Sequence, residues 1–82
     1  MKAYYTDRLL RSYGRAPLPV RKAFDKQVQR LLSNIRHPSL RAKKYDERRN
    51  IWQAGVTRGW RFYFTIEGDN CHIIEMMAHP KK

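Results

Sequence analysis

Three β-like segments separated by two short turns fill the C-terminal part of the chain, and they constrain its fold more than any other feature. The segments are rich in aromatic and β-branched residues, whereas the connections hold the Gly, Asn and Asp typical of tight turns. The segments are Ile51 to Thr57, Trp60 to Glu67 and Cys71 to Met77, and the connections are Thr57-Arg58-Gly59 and Gly68-Asp69-Asn70. This order predicts two successive hairpins.

Side chains of different character alternate along the middle segment. Because successive residues of a strand point to opposite faces of a sheet, this alternation predicts one apolar face and one polar face. The apolar set is Trp60, Phe62 and Phe64, and the other set is Arg61, Tyr63 and Thr65. We therefore expect one face to contribute to the core and the other to present a cation beside an aromatic ring.

A short strand and a short helix are predicted at the N-terminus. Lys2 to Tyr5 have the aromatic content of a strand, and Thr6 followed by Asp7 can cap a helix. We expect this helix to end at Gly14, because glycine readily adopts the left-handed conformation that closes a helix.

A second helix is predicted between the Ala16-Pro17-Leu18-Pro19 break and His37-Pro38. The residue before a proline is disfavoured in the α conformation, so His37-Pro38 is expected to end this helix. Its apolar positions recur at helical spacing and comprise Val20, Phe24, Val28, Leu31, Leu32 and Ile35. Its other face, which we interpret as solvated, carries Arg21, Lys22, Lys26 and Arg30.

The order of these elements predicts an α+β fold. One strand and two helices precede three or four strands, which favours an antiparallel β-sheet with the two N-terminal helices packed on one face. The additional strand is expected at Ala42 to Tyr45, within a highly charged connection. A chain of 82 residues is expected to form a single domain spanning residues 1–82.

The net charge restricts the class of partner. The chain carries 18 Lys and Arg against seven Asp and Glu, a formal net charge of +11. A charge of this sign favours association with RNA or an acidic protein. No apolar run is long enough to cross a bilayer and no signal peptide is recognisable, so we expect no membrane association. The single cysteine, Cys71, excludes an intramolecular disulfide and fits a reducing cytoplasmic setting; burial as a small hydrophobe is its expected role.

The sequence predicts neither a metal site nor a nucleotide cofactor. The three histidines, His37, His72 and His79, are not clustered with carboxylates or cysteine, and no HExxH or CxxC spacing occurs. The four glycines occur singly, without the spacing of a phosphate-binding loop. Any chemistry is therefore expected to use side chains alone.

Three strings in a fixed order resemble the RelE/ParE superfamily of bacterial toxin–antitoxin toxins. They are His37-Pro38-Ser39-Leu40-Arg41-Ala42-Lys43-Lys44, Ile51-Trp52-Gln53-Ala54 and Gly59-Trp60-Arg61-Phe62-Tyr63-Phe64. The resemblance implies a βααβββ, RelE-like fold. It also implies one of two activities, because RelE-branch toxins cut mRNA in the ribosomal A site without a metal, whereas ParE-branch toxins inhibit DNA gyrase.

For the RNase branch, the resemblance implies two catalytic residues. Arg61 matches the strand arginine that faces the phosphate, and His79 follows the last strand, where several members carry a catalytic histidine. A guanidinium suits phosphate because it presents parallel donors, and an imidazole can transfer protons near neutral pH.

The resemblance also implies an RNA-binding region in the basic connection. RNA backbone would contact Lys43, Lys44, Arg48 and Arg49. For Tyr45 and Tyr63, stacking on a base and cross-strand packing are both open interpretations.

Two departures from the family pattern bear on activity. Gln53 and Gly55 fall where RelE has two strand lysines, and no tyrosine follows the last strand. The alternatives to an mRNA endoribonuclease are therefore a ParE-like gyrase inhibitor and a degenerate member that only binds antitoxin or RNA.

The resemblance finally implies partners. These are a cognate antitoxin, acidic or amphipathic in character, and the mRNA and 30S A site of the ribosome. The complex of such a toxin with its antitoxin is expected to bind operator DNA.

Overall fold

The computed structural model describes residues 1–78, which form five strands, two α-helices and one 3₁₀ turn. The elements are β1 (Lys2–Tyr5), α1 (Asp7–Arg15), α2 (Leu18–Ser33), the 3₁₀ turn (Pro38–Leu40), β2 (Lys43–Asp46), β3 (Ile51–Thr57), β4 (Trp60–Glu67) and β5 (Asn70–Ala78). The α+β class is confirmed. The bounds of β1, β3 and β4 agree with the sequence-based prediction, β2 is displaced by one residue, and β5 extends one residue further at each end.

The sheet is mixed, not wholly antiparallel as the sequence suggested. Its strand order is β1-β5-β4-β3-β2, and β1 pairs with β5 in parallel while the other neighbours are antiparallel. Hairpin signals act only between strands adjacent in sequence, so they could not predict the pairing of β1 with β5, the first strand with the last. The parallel pair joins the two termini of the described chain within one sheet.

Helix α1 begins at its predicted cap but ends later than predicted. The Thr6 side chain accepts a hydrogen bond from the Leu9 amide at 3.0 Å and donates one to the Ile74 carbonyl at 2.7 Å. The predicted end at Gly14 is wrong, because the helix continues through Gly14 to Arg15 and ends at Ala16, which is extended. Pro17 accounts for this end, since it disfavours the α conformation of the residue before it.

Helix α2 ends earlier than predicted. It ends at Ser33, with Asn34 in an extended conformation, so Ile35 and His37 lie beyond it. The Asn34 side chain accepts a hydrogen bond from the Arg36 amide at 3.0 Å. Such local bonds from asparagine compete with helical hydrogen bonds, which explains why the helix ends before His37-Pro38. No helix within residues 1–78 is long and apolar enough to cross a membrane.

The hydrophobic core lies between the two helices and one face of the sheet. Phe62 and Phe64 are fully buried, and Phe24 of α2 packs edge-to-face on Phe62 with ring centroids 5.4 Å apart. The predicted alternation along β4 is therefore confirmed for its apolar face. Cys71 is buried as expected, and burial raises the pKa of its thiol to about 11.

Candidate nucleic-acid interface

Arg61 lines a surface depression of about 560 Å³ where β3 and β4 meet α2 and the 3₁₀ turn. Four separate elements contribute arginines to it: α2, the residue after the 3₁₀ turn, the β3–β4 turn and β4. These arginines are Arg30, Arg41, Arg58 and Arg61. None of the described residues that line the depression is acidic. Four guanidinium groups around one depression make it suitable for binding phosphate groups.

Gln27 connects three elements beneath this depression. It is only 4% exposed, and its amide nitrogen donates to the carbonyls of Ser39, at 3.1 Å, and Gly55, at 2.8 Å. Its amide oxygen accepts from Arg30 at 2.8 Å and from the Ser39 hydroxyl at 3.2 Å. Gln27 therefore fastens α2 to the 3₁₀ turn and to β3, and holds the Arg30 guanidinium at the depression.

His37 caps the 3₁₀ turn beside the depression. Its Nδ1 accepts a hydrogen bond from the Ser39 amide at 3.2 Å and lies 2.9 Å from the Ser39 hydroxyl oxygen. Because a backbone amide can only donate, Nδ1 is the unprotonated nitrogen of the ring. This contact assigns His37 a local structural role at the start of the turn.

Gly55 lies opposite Arg61 in the β3–β4 ladder, and the 3₁₀ turn passes close to it. A Cβ atom at Gly55 would lie 3.7 Å from the Leu40 carbonyl oxygen and 3.9 Å from that of Ser39. The position that the resemblance associates with a lysine thus faces backbone at van der Waals distance. Gly55 itself lines the depression and contributes no charge to it.

Tyr45 and Tyr63 contact each other on the face of the sheet opposite the helices, which we call the outer face. Their ring centroids are 4.9 Å apart, and the rings meet edge-to-face. Gln53, the β3 residue paired with Tyr63, is 7% exposed. Burial is the main cause that raises the pKa of Tyr63, with the nearby Tyr45 adding to it and Arg61 opposing it. The Tyr63 phenol is therefore a hydrogen-bond donor at neutral pH.

The basic connection does not present its four cations on one face. Lys44 lies with Nζ 5.0 Å from the centroid of the Trp52 ring, on the helix-covered face, and 3.7 Å from the Glu47 carboxylate. Arg49 binds Asp46 at 2.8 Å, and this contact lowers the pKa of the Asp46 carboxyl. Lys43 and Arg48 are exposed. The exposed cations of this segment therefore lie along the sheet edge, apart from the arginine-lined depression.

One predicted site residue lies outside the described part of the chain. His79 follows residue 78, so its position relative to Arg61 stays a prediction. Within residues 1–78, no group of three or more His, Cys, Asp or Glu side chains has a geometry that could hold a metal ion.

Sequence reasoning missed Gln27 and three of the four arginines. Arg30 was assigned to a solvated helix face, Arg41 was noted only as part of a string that resembles the family, and Arg58 only as part of a turn. Gln27 could have been found, because it lies between Phe24 and Val28 on the apolar stripe of α2, where a polar side chain needs buried partners. The arginines lie in four segments that only the fold brings together.

Comparison with solved structures identifies closely similar folds over nearly the whole chain. The YoeB/ParE toxin from Agrobacterium tumefaciens matches with a TM-score of 0.81 and 14% identity, covering 98% of this chain and 100% of that one. The isolated E. coli RelE toxin matches with a TM-score of 0.74 and 12% identity, covering 98% and 85%. The RelB–RelE antitoxin–toxin complex from Methanococcus jannaschii matches with a TM-score of 0.75 and 15% identity, covering 90% and 87%.

No protein-family model and no curated protein matches this chain. The likeness is therefore one of fold, at identities of 12% to 15% for these three structures.

Proposed function

Because the chain has the fold of the RelE/ParE superfamily toxins, we propose that it is the toxin of a type II toxin–antitoxin system and cleaves mRNA on the ribosome without a metal ion. The observation that carries this proposal is the depression lined by Arg61 and three further arginines. An enzyme that cleaves RNA must bind a phosphate and stabilise the charge that develops on it, and this depression supplies the cations for both tasks.

The proposed reaction begins with attack of a ribose 2′-hydroxyl on the adjacent phosphorus. The bond from phosphorus to the 5′-oxygen of the next nucleotide then breaks, leaving a 2′,3′-cyclic phosphate and a free 5′-hydroxyl. Extra negative charge gathers on the phosphate oxygens in the transition state, and guanidinium groups at hydrogen-bond distance stabilise it. Arg61 is proposed to make this contact, with Arg30 assisting from the position that Gln27 fixes.

Proton transfer is proposed to involve His79. An imidazole titrates near neutral pH, so it can accept the proton of the 2′-hydroxyl or protonate the leaving 5′-oxygen. Gln53 and Gly55 cannot supply a base. The Tyr63 phenol carries its proton at neutral pH, as an ordinary tyrosine does, and burial raises its pKa further, so it is available as a donor.

A second candidate function is that of a toxin without nuclease activity, such as a ParE-like inhibitor of DNA gyrase. A degenerate member that only binds antitoxin or RNA belongs to the same class. The observation that favours this class is the pair Gln53 and Gly55, because Gln53 is buried and neither residue supplies a base or a cation at the site.

The proposed partners follow from the proposed function. A cognate antitoxin with an acidic segment would neutralise the arginine-lined depression, since opposite charges favour association. The RelB–RelE structure shows that a relative of this fold is bound by its antitoxin. For the present chain, the antitoxin, binding of the complex to operator DNA, and a cytoplasmic location with access to ribosomes are all part of the proposal.

The experiment is induced expression with a reporter gene in two copies, one translated and one lacking its ribosome-binding site. Primer extension on both mRNAs should show cleavage only in the translated copy. The Arg61→Ala variant should abolish this cleavage, whereas Arg11→Ala, at an exposed arginine of α1, should leave it unchanged. Growth arrest with intact mRNA would reject the nuclease and favour the second candidate. The absence of both arrest and cleavage would reject the toxin proposal.

A further inference from the structure

A second aromatic pair lies on the outer face of the sheet, away from the Tyr45–Tyr63 contact. Tyr4 of β1 and His72 of β5 stack with ring centroids 5.2 Å apart and an angle of 19° between their planes. The two residues are direct partners in the parallel β1–β5 ladder. Neither contributes to the core, and nothing in the proposed chemistry at Arg61 uses them.

The register places this pair on the same face as Arg61 and Tyr63. The neighbours of His72 in β5, Cys71 and Ile73, are fully buried on the helix-covered side, so His72 points outward. His72 is paired with Thr65, which follows Tyr63 by two residues in β4 and therefore shares its face. The outer face thus includes Arg61, Tyr63 and Thr65 of β4, His72 of β5 and Tyr4 of β1, with a β-bulge between the ladder positions of Tyr63 and Phe64.

We propose that Tyr4 and His72 form a stacking platform for a nucleotide of single-stranded RNA whose phosphate backbone enters the arginine-lined depression. The inference rests on the proposed function and adds a second contact point to it. Four residues of strand separate Arg61 from Thr65, about 13 Å, and two strand spacings, about 10 Å, separate β4 from β1. An RNA segment that crosses the face diagonally from Arg61 therefore reaches the pair.

Charges of both signs lie at one end of the platform. Lys2 precedes Tyr4 by two residues on the same strand face, and its ladder partner Asn70 pairs in turn with Glu67 of β4. Asp69, in the turn between β4 and β5, lies 3.4 Å from the Met1 ammonium. Because the carboxylates repel phosphate at this end, we expect RNA to reach the pair from the side of Arg61.

Tyr4→Ala tests the platform, and Tyr5→Ala is its matched control. The two tyrosines are adjacent and equally exposed, at 46% each, but Tyr5 points to the helix side and lines a groove with Leu9 and Phe24. Binding would be measured by fluorescence anisotropy with 2′-O-methyl oligouridines of increasing length, which cannot be cleaved because they lack the attacking hydroxyl. Melting temperatures of each variant would identify any loss of folding.

For the wild type, affinity should rise with length until the oligonucleotide spans both the depression and the platform. Tyr4→Ala should weaken binding of the longer oligonucleotides at least about fivefold and leave the shortest ones unchanged, because a base stacked on an aromatic ring contributes to affinity to this extent. Tyr4→Phe should retain wild-type affinity, and Tyr5→Ala should change neither series.

Three results would overturn the inference while leaving the proposed function intact. These are equal binding of long oligonucleotides by the wild type and Tyr4→Ala, an equal loss in Tyr5→Ala, and a loss in Tyr4→Ala confined to binding of the antitoxin, which would make the pair a protein contact. If the wild type binds no oligonucleotide and cleaves no mRNA during translation, the proposed function itself fails. Loss of affinity confined to long oligonucleotides and to Tyr4→Ala would support the platform.

Discussion

The two faces of β4 are built in different ways, although they alternate residue by residue. Phe62 and Phe64 are fully buried against the helices, and each contacts other aromatic rings of the core. Arg61 and Tyr63, on the outer face, are partly exposed; Arg61 lines a depression with arginines from three other segments, and Tyr63 contacts Tyr45. One strand therefore supplies both the packing that stabilises the fold and the cation of the candidate site.

The difference shows that stability and function can be separated in this molecule. The helix-covered face depends on apolar area removed from water, which any well-packed set of side chains can supply. The outer face depends on a particular charge and a particular ring being held in place. Substitutions on the two faces should therefore change different measurements, and each prediction below tests that separation.

The largest effect on stability is expected for Phe62→Ala. Phe62 is fully buried and packs against Phe24 and Phe64, so its truncation removes buried apolar area and leaves a cavity. Such substitutions cost about 3–5 kcal/mol, a large part of the total stability of a small domain. Urea denaturation followed by circular dichroism should show this loss. Phe62→Leu should lose less, and a variant as stable as the wild type would contradict the assigned core.

Arg61→Ala should lower the cleavage rate strongly and leave the stability of the fold almost unchanged. Loss of a group that stabilises charge in the transition state lowers the rate by about 10²–10³-fold, whereas the free energy of unfolding should change by less than about 0.5 kcal/mol. Single-turnover cleavage on programmed ribosomes and urea denaturation would be measured on the same preparation. Arg61→Lys should recover little activity, because an ammonium cannot donate two parallel hydrogen bonds. A loss of activity proportional to a loss of stability would break the proposed separation of the two faces.

Gln27→Leu should affect both measurements, because Gln27 joins the core to the site. The leucine fits the volume but leaves the part-buried carbonyls of Ser39 and Gly55 without their donor, which costs on the order of 1 kcal/mol. It also releases the Arg30 guanidinium, so activity should fall beyond what the loss of stability explains. Gln27→Glu is the matched variant, since it keeps an acceptor for Arg30 and removes the donor. Unchanged activity in both variants would show that Arg30 needs no positioning.

Sequence alone predicted the helix-covered face well and the site poorly, for a physical reason. Phe62, Phe64 and the apolar stripe of α2 follow periods of two and 3.6 residues, which are set by local backbone geometry. Arg61 was identified through a family resemblance, and Arg30, Arg41 and Arg58 were not identified, because the four meet only after the sheet and helices have packed. The parallel β1–β5 pair was missed for the same reason.

A smaller loss of stability, without loss of activity, is expected for Thr6→Ala. The Thr6 hydroxyl caps α1 and also binds the Ile74 carbonyl, so it joins the helix to β5 on the side away from the arginines. Loss of an N-cap costs about 1 kcal/mol. Thr6→Ser should retain nearly all of the stability because it keeps the hydroxyl. A measurable loss of cleavage in Thr6→Ala at temperatures where it stays folded would mean that α1 controls the site.

The smallest effect is expected at Asp46. Its ion pair with Arg49 is exposed, so we expect it to contribute less to stability than the buried face of β4 and less to activity than Arg61. Bonds from the Arg49 side chain and amide lower the pKa of Asp46 below its ordinary value of 3.8. A group with a lowered folded-state pKa stabilises the fold above its unfolded pKa and loses that contribution as the pH falls through the folded value. An NMR titration of the Asp46 carboxyl should give a midpoint below 3.8, and in Arg49→Ala the midpoint should move back toward 3.8.

At neutral pH, Asp46→Asn should free Arg49 and tighten binding of single-stranded RNA slightly, with a steeper salt dependence. Weaker binding in Asp46→Asn would remove the basic connection from the proposed RNA surface and confine that surface to the depression and the outer face.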